Sequence, residues 1–118
     1  MGSDGKVRWV NLTPHPINVV VDGEEVLYVP PSGTVVRLVI LYDDDGEVGG
    51  VPVVIARGGI PEGVMPDPRS GTFYLVSSLV AAALPGRDDV LAPDTGVSAI
   101  RDCRGRVTAV TRLQRIVA

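Results

Sequence analysis

Short valine-rich segments, cut at close intervals by glycine and proline, constrain the fold of this chain more than any other feature. The 118 residues include 14 glycines and 10 prolines. Glycine and proline favour turns, whereas valine and the other β-branched residues favour strands. Only 4% of the residues are aromatic, so a core has to be built from valine, leucine, isoleucine and alanine. The pattern predicts a mainly β domain (β-rich α+β) over residues 1–118, a single small barrel or sandwich with one short helix. Residues 1–6 are expected to lack fixed structure.

The predicted strands follow from the apolar runs between turn signals. They cover residues 7–12, 17–21, 26–29, 34–42, 51–56, 72–76, 97–101 and 107–117. Asp22-Gly23 predicts a tight hairpin turn between the second and third strands. The run 34–42 is apolar almost throughout, which predicts burial on both of its faces. Alanine and leucine in residues 77–84 predict the helix, with Ser77 or Ser78 as its N-cap.

Two segments are predicted to be irregular. Residues 43–46, Asp-Asp-Asp-Gly, are typical of a solvated acidic turn that ends a strand. Residues 57–71 contain four glycines and three prolines and predict a loop that acts as a flexible lid.

Charge and cysteine content exclude several classes of function. The net charge is −3, Lys6 is the only lysine, and no basic tail exists, which argues against binding to duplex nucleic acid. Cys103 is the only cysteine, so an internal disulfide is excluded and a cytoplasmic location is expected. No run of about 18 apolar residues predicts a membrane span. The single histidine, His15, has no suitably spaced partners for a metal, and neither a metal nor a cofactor is expected.

Polar residues concentrate in two segments, NLTPHP at residues 11–16 and RDDVLAPDTG at residues 87–96. Prolines on both sides of His15 restrict the backbone and would aim the imidazole with little loss of entropy on binding. Arginine binds phosphate and carboxylates bind ribose hydroxyls, so the mixture favours a nucleotide-derived or other small anionic ligand. The predicted ligand-binding residues are Asn11, Thr13, His15, Ser77, Arg87, Asp89, Asp94 and Thr95. A helix beginning near Ser77 would add free amides that suit an anion.

Other interpretations of these residues stay open. Residues 87–96 taken alone fit a turn slightly better than a site, with Asp94 bonded to its own backbone. A small hydrolase would use His15 as general base, Asp94 to orient it and Ser77 as nucleophile. The sequence favours a homo-oligomeric binding protein over an enzyme, and a structural or interaction module of phage origin is the third alternative.

Several motifs occur in an order that resembles one group of proteins. NLTPHPINV, PPSGT, GIPEG, GTFYLVSSLVAAALPGRDDVLAPDTG and AIRD follow one another over residues 9–112. The chain in this respect is similar to small uncharacterised prokaryotic and phage-associated proteins with an N-terminal NLTPH signature. That group has no settled activity, so the resemblance implies no catalytic residue. By analogy of size and setting, it implies a sponge that sequesters cyclic nucleotide signals in host defence.

Overall fold

The computed structural model describes residues 6–84 and 86–116 of the chain. The prediction for residues 1–5 therefore lies outside the described residues. The strands are β1 Arg8–Asn11, β2 Ile17–Val21, β3 Glu24–Val29, β4 Arg37–Val48, β5 Val51–Glu62, β6 Thr72–Leu75, β7 Val90–Pro93, β8 Ile100–Arg101, β9 Val107–Ala109 and β10 Leu113–Gln114, and the helix α1 is Ser78–Ala82. The predicted mainly β class with one short helix is confirmed.

The largest sheet has four strands in the order β1-β6-β7-β10. β1, β6 and β7 are parallel, and β10 is antiparallel to β7. Parallel neighbours need a long crossover connection, and the segment with α1 supplies it between β6 and β7. Over the described residues this sheet is open, so the barrel alternative is wrong and the strands pack in layers instead.

Both faces of this sheet are buried. Successive side chains of a strand point to opposite faces, and Tyr74 and Val76 pack in one apolar cluster with Val80 of α1. Leu75, which lies between them, packs in a second cluster with Val19 of β2. The fold therefore has three layers, with α1 on one side of the sheet and the β2–β3 hairpin on the other.

The β2–β3 hairpin and the helix follow the predictions most closely. β2 has the predicted bounds, and Asp22 and Gly23 both have positive φ, 51° and 80°, as a type I′ turn requires. Ser77 is the N-cap of α1, and its hydroxyl accepts a hydrogen bond from the Val80 amide at 3.3 Å. The helix ends at Ala82, two residues earlier than predicted.

The largest correction concerns residues 34–71. β4 runs on to Val48, so the predicted acidic turn at residues 43–46 lies inside a strand, and the turn falls at Gly49-Gly50. β5 continues to Glu62 and takes up the first part of the predicted lid. Cross-strand pairing, interrupted by two register shifts, overrides the local turn signals. β4 is also mostly exposed along its length, so the predicted burial on both of its faces is wrong.

The last third of the chain differs in strand position. Residues 90–93 form β7, inside the stretch that was predicted as a polar loop. The predicted strand 97–101 shrinks to two residues, and the predicted strand 107–117 is split into β9 and β10, with Val117 outside the described residues. The split has a packing reason, because Val110 lies beside Val19 of β2 whereas Leu113 pairs with Pro93 of β7.

Candidate functional site

A pocket of about 390 Å³ opens where four segments of the chain meet. Its walls are residues 13–18, Ser77 and Ser78 before and at the start of α1, Pro93 at the end of β7 and Thr95 after it, and residues 107–110. This volume is in the range of ordinary small-molecule sites. The two predicted segments, NLTPHP and RDDVLAPDTG, thus share one pocket. Of the eight predicted residues, the pocket is lined by Thr13, His15, Ser77 and Thr95.

Asn11 organises the wall formed by residues 13–16. Its side chain is fully buried, and its Nδ2 donates to the carbonyls of His15 at 2.7 Å and Val29 at 3.0 Å. Its Oδ1 accepts from the Thr13 amide at 2.9 Å and from the Thr13 hydroxyl at 2.7 Å. Asn11 therefore holds the loop against β3 and does not line the pocket itself.

His15 lies at the rim of the pocket with an exposed side chain. Its backbone carbonyl accepts from Asn11 Nδ2, and the Thr13 hydroxyl, which shares its one hydrogen between this carbonyl and Asn11 Oδ1, lies 2.9 Å away. Pro14 and Pro16 line the pocket on either side and restrict the backbone further. Within the part of the chain that the structure describes, the imidazole makes no hydrogen bond, so neither ring nitrogen is occupied by a protein group there.

The Asp94 carboxylate is hydrogen-bonded to other protein groups, and Asp94 does not line the pocket. Its carboxylate accepts from Arg112 Nε at 2.7 Å, from the Gly96 amide at 3.0 Å and from the Ser98 hydroxyl at 3.3 Å. The Arg112 hydrogen bond, followed by that of the Gly96 amide, lowers the pKa of Asp94. The carboxylate thus fastens the turn after β7 to the segment before β10, which positions Thr95.

Arg87 and Asp89 form a separate cluster. Arg87 Nε and Nη2 each donate to a carboxylate oxygen of Asp89 at 2.8 Å, and Nη2 also donates to the Pro66 carbonyl at 3.0 Å. The hydrogen bond between them raises the pKa of Arg87 and lowers that of Asp89. Arg87 borders a different cavity, of about 100 Å³, together with Arg115. Neither Arg87 nor Asp89 lines the main pocket.

The Arg87–Asp89 pair makes stability depend on pH. Because the pKa of Asp89 is lower in the folded chain, its contribution is complete above the ordinary carboxyl pKa of about 3.9. The contribution is lost as the pH falls through the lower folded value. We expect Asp89→Asn to reduce the free energy of unfolding by about 1–2 kcal/mol near pH 7, and to change it much less near pH 2.

Denaturant titrations of the two chains at both pH values measure this difference. Asp88→Asn is the matched control, because Asp88 is exposed and its side chain makes no ion pair among the described residues. A deficit that is as large at pH 2 as at pH 7 would show that the pair does not supply the effect.

Sequence reasoning missed three polar residues that line the pocket, Asn18, Ser78 and Thr108. Asn18 is the most informative, because its Oδ1 is buried and has no hydrogen-bond partner among the residues that the structure describes. An unsatisfied buried acceptor costs about 1–3 kcal/mol, and the Asn18 residue lines the pocket wall, where a ligand can contact its side chain. A signal for Asn18 existed in the sequence, since it is the one polar residue in the strand Ile-Asn-Val-Val-Val.

The lining is almost neutral. Among the described residues that form it, His15 is the only side chain able to carry a charge. The other polar groups are hydroxyls and one amide, and they alternate with apolar side chains such as Ile17, Pro93 and Val110. No cluster of three or more His, Cys, Asp or Glu that could hold a metal occurs in the described residues. The helix α1, the one helix in the described residues, is far too short to cross a membrane.

The fold and the pocket together define a small three-layer β-rich protein with an open, nearly neutral cleft. No protein-family model, curated protein or solved structure matches this chain.

Proposed function

We propose that the protein binds a small molecule in the pocket between the NLTPHP loop, the start of α1 and β9. The observation that carries the proposal is a pocket of about 390 Å³ in which Thr13, His15, Ser77 and Thr95 meet. Asn18 also lines it, and its buried Oδ1 has no hydrogen-bond partner among the described residues. Small-molecule sites combine apolar walls with a few fixed polar groups. Here Pro14, Pro16 and Val110 supply apolar surface, and Asn11 fixes the backbone that carries His15.

The lining favours a nucleoside-like ligand with little charge. Proline and valine side chains suit the face of a heterocycle, and Thr95, Thr108 and Ser78 suit ribose-type hydroxyls. His15 suits a single anionic group. A polyphosphate would need several cations, and Arg87, the residue predicted to bind phosphate, does not line the pocket. Within the nucleotide-derived class, the proposal is therefore a nucleoside or a cyclic nucleotide with one negative charge per phosphodiester.

Calorimetric titration with a nucleoside, a cyclic mononucleotide, a cyclic dinucleotide and a nucleoside triphosphate tests this proposal. We expect the neutral or singly charged compounds to bind more tightly than the triphosphate. His15→Ala and Asn18→Ala should each weaken binding about tenfold, which is the loss of one good hydrogen bond or charge contact.

Thr34→Val serves as the control, because Thr34 is exposed and lies outside the lining. Absence of heat for every compound would refute the proposal. So would binding that His15→Ala and Asn18→Ala leave unchanged.

A hydrolase is the second candidate, and one observation favours it, namely that His15 and Ser77 line the same pocket. Two others weigh against it. Asp94 is hydrogen-bonded to Arg112, and the Ser77 hydroxyl accepts from the Val80 amide as the helix cap. Labelling with a fluorophosphonate probe tests this candidate, and we expect Ser77 to stay unlabelled.

Two further parts of the proposal rest on the sequence. A cytoplasmic location fits a chain whose single cysteine, Cys103, is free. A role as a sponge for nucleotide signals is supported by the resemblance to phage-associated proteins. It is also supported by the pocket lining, which suits a nucleoside. Such a role predicts binding without turnover, so the compound recovered after incubation should be chemically unchanged.

A further inference from the structure

The β4–β5 hairpin projects from the body of the protein as a long two-stranded arm, residues 37–62. Its strands pair only with each other in the described sheets. The chain has a radius of gyration of 17.1 Å and a longest extent of 60 Å, whereas a compact chain of this length would have a radius of about 13.5 Å. An isolated two-stranded hairpin is only marginally stable in water, so this arm needs a covering partner more than any other element does.

The arm carries apolar side chains on both faces. Residues directly opposite in an antiparallel pair share a face, and Tyr42 lies opposite Ala56 whereas Asp43 lies opposite Ile55 on the other face. Between 42% and 70% of each of six large side chains is exposed, namely Leu41, Tyr42, Val48, Val51, Val54 and Ile55. Apolar surface on this scale, rimmed by charge, is typical of a protein–protein contact.

The charges on the arm and on the C-terminal part of the chain are opposite. The arm has five carboxylates and two arginines, which gives −3. Residues 100–116, here called the basic segment, have five arginines and one aspartate, which gives +4. Arg57 pairs with Asp43 inside the arm. Among the described residues, Asp44, Asp45 and Glu47 near the tip have no cationic partner.

The basic segment contains exposed arginines that can pair with these carboxylates. It holds Arg101, Arg104, Arg106, Arg112 and Arg115. The side chains of Arg106 and Arg112 are 70% and 65% exposed even though each pairs with an aspartate. Arg104 is exposed, and its guanidinium makes no hydrogen bond or ion pair within the described residues. Opposite charges on two surfaces steer association and set its register.

From these two surfaces we infer that a second copy of this chain covers the arm, with the acidic arm of each copy lying on the basic segment of the other. Both contacts form in one reciprocal dimer, which satisfies the closed symmetry that most homo-oligomers adopt. The apolar faces of the arm supply the area, and the charges select the basic segment as the docking surface. Residues 107–110 of the basic segment also form a wall of the ligand pocket, so the dimer is tested on the chain without added ligand.

Charge reversal tests the inference on the full chain. We expect sedimentation velocity to show a dimer that weakens in about 1 M salt, since screening there acts over about 3 Å. Asp45→Arg and Arg104→Glu should each weaken the dimer about tenfold. A mixture of these two variants should recover the dimer, because every contact in the mixed pair again joins opposite charges.

Glu24→Arg is the matched control, since it reverses an exposed charge on β3, outside both surfaces. Tyr42→Ser combined with Val54→Ser should also weaken the dimer, because both side chains lie on one face of the arm. A monomer at every concentration would overturn the inference. A dimer whose dissociation constant is unchanged by salt and by both charge reversals would overturn it as well. So would a failure of the mixed variants to recover the dimer.

Discussion

Replacing Asn11 with alanine is expected to lower the free energy of unfolding by about 3 kcal/mol and the melting temperature by about 10 °C. Asn11 is fully buried and makes four hydrogen bonds. Its removal leaves the carbonyl of Val29 and the amide of Thr13 without their partners, and buried groups without partners are costly. Thermal and denaturant unfolding measure the change directly.

The same substitution should also weaken ligand binding, although Asn11 does not line the pocket. The backbone of residues 13–16 would lose the contact that ties it to β3, because Asn11 Nδ2 bridges the carbonyls of His15 and Val29. A mobile loop pays ordering entropy when the ligand binds. We therefore expect weaker binding with a larger unfavourable entropy in calorimetry.

Asn18→Ala provides the matched comparison, because it removes the same type of side chain from another strand, β2. The Oδ1 of Asn18 has no partner among the described residues, so its loss should not lower the free energy of unfolding through a lost hydrogen bond. Asn18→Ala should nonetheless weaken ligand binding. If Asn11→Ala is no more destabilising than Asn18→Ala, the hydrogen bonds of Asn11 do not hold the loop.

Leu75→Ala is expected to have an effect of similar size on stability, about 3 kcal/mol. Leu75 is completely buried in β6, between β1 and β7. It packs against Ile17 and Val19 on the face of the sheet that carries the β2–β3 hairpin. Neighbouring backbones on both sides limit relaxation, so a cavity should remain after the substitution. Denaturant titration gives the change in free energy.

Leu79→Ala is the control for this prediction. Leu79 lies on α1, and 59% of it is exposed, so its truncation should change stability by less than about 0.5 kcal/mol. Comparable losses for the two leucines would mean that the sheet is not the rigid centre of the fold.

The elements that the sequence predicted well are those specified by neighbours along the chain. Asp22-Gly23 adopts the positive φ values of its turn, and Ser77 caps its helix through the Val80 amide, three residues away. Such local interactions are independent of the rest of the fold. β4 was predicted poorly, because the acidic residues at 43–46 signal a turn locally, whereas pairing with β5 extends them into a strand.

The candidate site also has features that the sequence predicted and features that it did not. The sequence identified both segments that meet in the pocket, since polar residues concentrated between apolar runs are visible without a structure. The sequence did not reveal that Arg87 Nη2 donates a hydrogen bond to Asp89 Oδ2 at 2.8 Å. Nor did it reveal that the Asp94 carboxylate accepts from Arg112 Nε, eighteen positions further along the chain. Arg87, Asp89 and Asp94 therefore lie outside the pocket lining. The Asp94–Arg112 contact joins residues far apart along the chain, whereas Arg87 and Asp89 are only two residues apart and their side-chain geometry comes from the fold.

By itself, the sequence determined the mainly β class, the β2–β3 hairpin and the capped helix, because side-chain preference and turn chemistry act over a few residues. Only the tertiary structure decided that residues 90–93 form a central parallel strand, because a short buried strand is recognised by its neighbours on both sides. The same packing placed Asn18 in the pocket without a partner and left residues 37–62 projecting as an arm. Long-range contacts determine these features, and they bring together residues that lie far apart along the chain.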